Sequence, residues 1–208
     1  MADKFDNFDE LAANEVAGAD YRILLRRATD SIAILAIHGG GIEPGTSEIA
    51  DAIAEEDLSA GTTFSFYTFE GIRSKNNSDL HITSTHFDEP QAESLIGDSK
   101  VVITIHGEHS EEDGEGIFLG GLDVRLGRRI GQALKTAGFQ VGKHKNPNLQ
   151  GIEPENICNR GQTNAGVQLE ISRTIRQQMF ASLMTRTGRK TTKPAFKRFV
   201  KAVRSVIA

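Results

Sequence analysis

Residues Ile32-Ala-Ile-Leu-Ala-Ile-His-Gly-Gly-Gly-Ile-Glu-Pro-Gly-Thr-Ser-Glu48 decide how this chain is built. β-Prone apolar residues lead up to His38, three glycines turn the backbone, and Glu43 returns close behind. Glycine accepts the tight curl that such a return requires. A buried strand that leads through a short loop into a helix near Thr46 is the opening unit of an α/β sheet. Two further apolar runs end in chemistry-bearing residues. Val101-Val-Ile-Thr-Ile-His106 closes on a histidine, and Gly166-Val-Gln-Leu-Glu170 on a carboxylate.

Outward from these runs, Tyr21–Leu25, Ser31–Ile37 and Phe64–Phe69 read as strands, and Thr46–Glu56 as a helix with Glu48 serving its capped start. Leu80–Phe87 reads as another strand, and Asp88–Leu95 as a helix entered by acidic residues and Pro90. Leu122–Ala137 is amphipathic and closed by Gly138. Phe139–Val141 and Val167–Ile171 complete the strands, Ser172–Met184 is a helix, and His106–Gly121 and Asn146–Asn164 are loops. Alternating strands and helices predict an α/β sandwich with a mixed, mostly parallel central sheet. The mixed character is expected because Leu80–Phe87 alternates more than a strand buried on both faces should.

The 208 residues, 38% hydrophobic and 25% charged, suit one globular domain. Cys158 is the single cysteine, so neither an intrachain disulfide nor a Cys-rich zinc cluster can form. No apolar run approaches the ~20 residues that span a bilayer. The acidic start lacks the basic and apolar segments of a signal peptide, so cytoplasmic synthesis is expected. Eight Lys or Arg and no acid lie between Arg186 and Ala208, which leaves −12 on the remainder of a chain with net charge −4. Residues 1–185 are expected to form the catalytic domain and 186–208 a basic helical tail. Within that tail, Phe196, Phe199, Val200 and Val203 recur at helical spacing and should dock it.

His38 and His106 each follow an apolar strand, and open α/β sheets bind ligands at the carboxyl ends of strands. Two imidazoles and the Glu43 carboxylate are a catalytic zinc set with one position left for water. Glu170, an otherwise costly half-buried charge, is the candidate general base, with pairing to Arg173 as its structural alternative. Glu48 and His109 are lesser rivals for the metal, and His144 is expected at the surface. His81 and His86 lie five apart on the expected strand and would face opposite sides, with His86 the better placed. A serine hydrolase would need a Gly-x-Ser-x-Gly elbow, which the chain lacks. A non-catalytic anion- or nucleic-acid-binding module remains as the other class, although no nucleotide-binding glycine motif is present.

His38 to Gly45 resembles the His-x-x-Glu zinc motif of the zinc carboxypeptidase and succinylglutamate desuccinylase superfamily, with four residues rather than two between His38 and Glu43. Together with Leu80–Pro90, Asn156–Arg160 and Gly166–Arg173, the longer spacing is similar to the phage and Bacillus poly-γ-glutamate hydrolases over most of residues 20–185. This resemblance implies a carboxypeptidase-like three-layer sandwich that cleaves γ-amide bonds of poly-γ-glutamate. It implies one Zn²⁺ on His38, Glu43 and His106, with Glu170 as general base. It also fits a monomeric phage enzyme released by host lysis, with no obligate nucleic acid. A small N-acyl amino acid or peptide is the alternative substrate. A polyanion calls for cationic clamps, for which Arg160, Arg173 and Arg73 are candidates, with Asn159 and His86 beside them.

Overall fold

A computed structural model describes residues 3–29, 31–55, 64–109 and 114–208. Strands β1 (Tyr21–Arg26), β2 (Ile32–Gly40), β3 (Ser65–Gly71), β4 (Val101–Glu108), β5 (Ile117–Gly120), β6 (Val141–Gly142) and β7 (Val167–Ser172) form one sheet. Their order is β1-β3-β2-β4-β7-β5-β6. The helices are α1 (Phe8–Asn14), α2 (Thr46–Ala54), α3 (Pro90–Gly97), α4 (Val124–Thr136), α5 (Arg173–Met179), α6 (Arg186–Arg189) and α7 (Pro194–Ile207).

Strands β3, β2, β4 and β7 run parallel in the centre. Their apolar residues are buried on both faces, as a parallel sheet requires. One face packs Ile34, Ile103 and Leu169 under α2, α4, α5 and α7. The other packs Leu35, Ile37 and Val102 under α1 and α3. The result is the expected α/β three-layer sandwich.

The sheet is mixed for a different reason from the one expected. β1 pairs antiparallel with β3, and β5 antiparallel with β7. Leu80–Phe87 is no strand: a 3₁₀ turn ends at Leu80, and a second turn closes where His86 and Phe87 donate to the Thr83 carbonyl. Its apparent alternation comes from Leu80, Ile82 and Phe87, which pin this loop into the core. Inside the expected loop His106–Gly121, four residues form β5, too few to leave a periodic signal. Helix α5 stops at Met179 because Phe180 turns extended and bridges Thr192. Glu56, the expected last residue of the second helix, lies outside the described residues.

Helix α7 is docked as its apolar spacing predicts. Phe196 and Phe199 pack edge-on against Phe180 and Phe139, at centroid distances of 5.3 and 5.8 Å. Phe199 is fully buried. Truncating such an aromatic leaves a cavity as well as losing its burial, so Phe199→Ala is expected to cost about 3–5 kcal/mol. Urea denaturation checks this, and a loss below about 1 kcal/mol would mean that α7 is not an integral layer of the fold.

Candidate metal centre

The site lies where β2, β4 and β7 end. His38 is still within β2, beside a register shift between Ala36 and Gly39 that re-aims the strand end. The turn beyond it is held by Glu43 N–H donating to the His38 carbonyl at 2.8 Å and by Gly45 at φ +98°. His106 and Glu170 are register partners on adjacent parallel strands, so they share one face of the sheet. His81 arrives from the loop after β3, stacked on His38 with ring centroids 3.9 Å apart.

Donor atoms of three residues converge, with Glu43 offering both carboxylate oxygens. His38 Nδ1 lies 3.2 Å from Glu43 Oε1 and 3.2 Å from His106 Nδ1, while His106 Nδ1 is 3.8 Å from Glu43 Oε2. Tetrahedral zinc with bonds of about 2.0–2.1 Å spaces its ligands roughly 3.3–3.4 Å apart, so the two 3.2 Å separations around His38 Nδ1 suit such an ion, while the 3.8 Å one, to the second Glu43 oxygen, is wider. The residues therefore fit the ion that the sequence implies. His38, Glu43 and His81 likewise bring one donor each within 4.8 Å of one another. The adjoining cavity of about 560 Å³ is lined by four carboxylates, Glu43, Glu108, Glu153 and Glu170, and by no Lys or Arg among the described residues.

The charges tell the same story. Burial presses the His38 imidazole downward, but Glu43 and the Ile82 carbonyl, 2.8 Å from Nε2, outweigh it and hold it above its ordinary value. Burial alone would raise Glu43, yet the charge and hydrogen bond of His38 keep its carboxyl well below the usual range. Burial takes His106 down to about 3, which keeps it neutral as a metal ligand must be. Burial, then the neighbouring Glu43 and Glu108, push Glu170 well above the carboxylate range. Gln168 Nε2 donates to Glu170 Oε1 at 2.9 Å and fixes the group.

Other residues of the site left little trace in the sequence. Asp3 accepts from Thr83 N–H and pairs with His81 Nδ1, both at 2.6 Å, across nearly eighty positions. Arg176 is fully buried, and its guanidinium donates to the carbonyls of Ile171, Pro44 and Glu108 beneath the metal loop. His144 is buried rather than at the surface: Asn146 N–H donates to its Nδ1, and Nε2 lies 3.9 Å from Glu108.

The expected clamps sit elsewhere. Arg160 pairs with Glu93 and reaches the Phe87 carbonyl, Arg73 pairs with Glu15 and Asp20, and Arg173 reaches the Met184 sulfur. Asn159 is buried, tying down the carbonyls of Gly151 and Glu153, and His86 is exposed on its turn. None of these five lines the cavity. Glu48 pairs with Arg189 at 2.7 Å and makes no cap, whereas His109 does line the cavity.

Comparison with known proteins agrees with the fold. Residues 5–202 match the poly-gamma-glutamate hydrolase family. The chain is 37% identical over 202 residues to the UPF0714 protein YndL of Bacillus subtilis (strain 168), covering 97% of this chain and 76% of that one. The solved structure of a bacteriophage poly-gamma-glutamate hydrolase superposes with a TM-score of 0.90 at 31% identity, over 99% of this chain and 97% of that one. A zinc-free apo structure of YndL superposes with a TM-score of 0.86 at 34% identity, over 99% and 98%. These similarities define an α/β hydrolytic enzyme. More narrowly, the chain belongs to the poly-gamma-glutamate hydrolase family.

Gly107 joins the two halves of the site, because its N–H donates to Glu43 Oε2 at 2.7 Å. A Cβ there would stand 2.5 Å from the Arg176 guanidinium carbon. Gly107→Ala is therefore expected to destabilise the protein by about 1–3 kcal/mol. Chemical denaturation measures the loss, and an unchanged midpoint would show that Arg176 is not wedged under β4.

Proposed function

We propose that the chain hydrolyses the γ-glutamyl amide bonds of poly-γ-glutamate, using one zinc ion held by His38, Glu43 and His106, with Glu170 as general base. The convergence of donor atoms of three residues, from β2, its loop and β4, next to the register-paired Glu170, carries this reading. The zinc-free description of YndL favours zinc over other divalent ions. A bound ion would supply Lewis acidity, polarising the amide carbonyl and lowering the pKa of water.

The chain's own residues supply the rest. With Oε1 held by Gln168, Glu170 can take a proton from the attacking water on Oε2 and return it to the departing amine nitrogen. A pKa raised above the carboxylate range makes the protonated group easier to hold until the proton passes to the amine. Gly107 N–H holds Glu43 Oε2, and the Ile82 carbonyl fixes the ring of His38 through Nε2, leaving Nδ1 for the metal. Neutral donors along the cavity, Asn148 and Asn156 among them, can hold the substrate's carbonyls and carboxylates.

A second ligand set is favoured by one observation: His81 also brings a donor within 4.8 Å of His38 and Glu43. Asp3 fixes its Nδ1, as carboxylates fix metal-bound histidines. Metal analysis of purified variants separates the two. His106→Ala is expected to emerge without zinc and His81→Ala to retain it; the reverse would make His81 the third ligand.

Chelation should abolish shortening of poly-γ-glutamate and added zinc restore it, as read by gel filtration. Glu170→Gln is expected to keep its zinc and lose about 100- to 10,000-fold in kcat. Loss of zinc in that variant would make Glu170 a structural group rather than the base.

The pH profile tests the same residue. A general base works deprotonated, so kcat/KM should rise with pH through the Glu170 pKa. Because burial raises that pKa, the acidic limb is expected above the ordinary carboxylate range. A limb at the position of a free carboxylate would exclude Glu170.

A further inference from the structure

The catalytic cavity has no Lys or Arg among its described lining residues, although every residue of poly-γ-glutamate carries a carboxylate. Positive charge is concentrated instead on the outside of the helical layer. Helices α4 and α7 pack side by side and contain eight Lys and Arg between them, with no Asp or Glu in either. This is exceptional in a chain of net charge −4.

Seven of the eight are exposed: Arg125, Arg128, Arg129 and Lys135 on α4, and Lys197, Arg198 and Lys201 on α7. None of the seven forms an ion pair among the described residues. Two are fixed at the seam, where Arg129 donates to the Val206 carbonyl at 2.9 Å and Arg198 lies over the Phe139 ring at 5.8 Å. A shallow groove of about 500 Å³ follows that seam between Arg129 and Ser205. On the far flank of α7, Glu55 is the single acidic side chain among the described residues lining either groove beside this helix. The α4 cations alone extend along about 15 Å of helix.

We infer that this face is a second, non-catalytic binding site for the polymer, holding a polycarboxylate chain across α4 and α7. The inference rests on the substrate reading above. The aromatic side chains of α7, Phe196 and Phe199, are buried and α4 has none, so the face lacks the stacking platforms that single-stranded nucleic acid uses. A flexible chain of carboxylates needs only spaced cations, and Arg offers paired donors to each. Anchoring one stretch of polymer raises the effective concentration of the remainder at the catalytic cavity.

The test is binding of dye-labelled, long poly-γ-glutamate to the zinc-loaded Glu170→Gln protein, followed by fluorescence anisotropy across a salt series. Reversing Arg125, Arg128, Lys197 and Lys201 to Glu is expected to weaken binding about tenfold or more and to flatten its salt dependence, because fewer counterions are released. The same four changed to Gln should give an intermediate loss and serve if the reversed protein fails to fold. Unchanged affinity in both variants overturns the proposal. Tighter binding of single-stranded DNA of equal total charge overturns it as well, in favour of a nucleic-acid partner. If wild type cuts the polymer but the variants bind like their parent, the anchoring face falls and the catalytic reading stands. If the polymer binds through this face yet wild type leaves it uncut, the face stands and the catalytic reading falls.

Discussion

Glu43 carries a negative charge into a buried position at the floor of the cavity, and the surrounding chain is arranged to neutralise it. An unpaired buried carboxylate would cost several kcal/mol. Here the balance comes from imidazoles on β2 and β4, a backbone N–H from Gly107, and the glycine-bent loop that brings Glu43 within 3.2 Å of His38. Glu43 favours a proton on His38, in the place where a bound cation would balance the same charge. Arg176, wedged among three carbonyls under the same loop, adds fixed positive charge without entering the cavity.

The same constraint explains which parts of the site could be read from the chain. His38, Glu43, His106 and Glu170 end apolar strands or follow one within a few residues, so strand periodicity places them at one sheet edge. The β4–β7 register then sets His106 beside Glu170, as that reading requires. His81 was legible only as one of two histidines on an expected strand. Its approach to His38 depends on turns at Asn76 and Thr83, where local hydrogen bonds override the apolar alternation. Asp3 and Arg176 act on residues far along the chain or on backbone carbonyls, and neither kind of contact has a sequence period.

The clamp residues teach a related lesson. Arg160, Arg173 and Arg73 were singled out because loops beside a site are natural places for cations. The structure shows each occupied locally, two of them by carboxylates that no spacing rule connects to them. The helix of the basic tail, by contrast, was legible: apolar residues at helical spacing pack inward and Lys197, Arg198 and Lys201 stay outside, whereas Arg189 and Arg204 are drawn inward by Glu48 and by the carbonyls of Ile53 and Glu55. The family match extends into α7, to residue 202. Among the described residues, no helix is long and apolar enough to cross a membrane.

The central claim is that His38, Glu43 and His106 hold a single ion beside Glu170. Anomalous diffraction from crystals of the zinc-loaded protein, collected on both sides of the zinc edge, tests it most directly. The account predicts one anomalous peak bounded by His38 Nδ1, a Glu43 carboxylate oxygen and His106, with Glu170 facing it but not bound. An empty pocket at saturating zinc, or a peak ligated by Glu170 in place of Glu43, would contradict it.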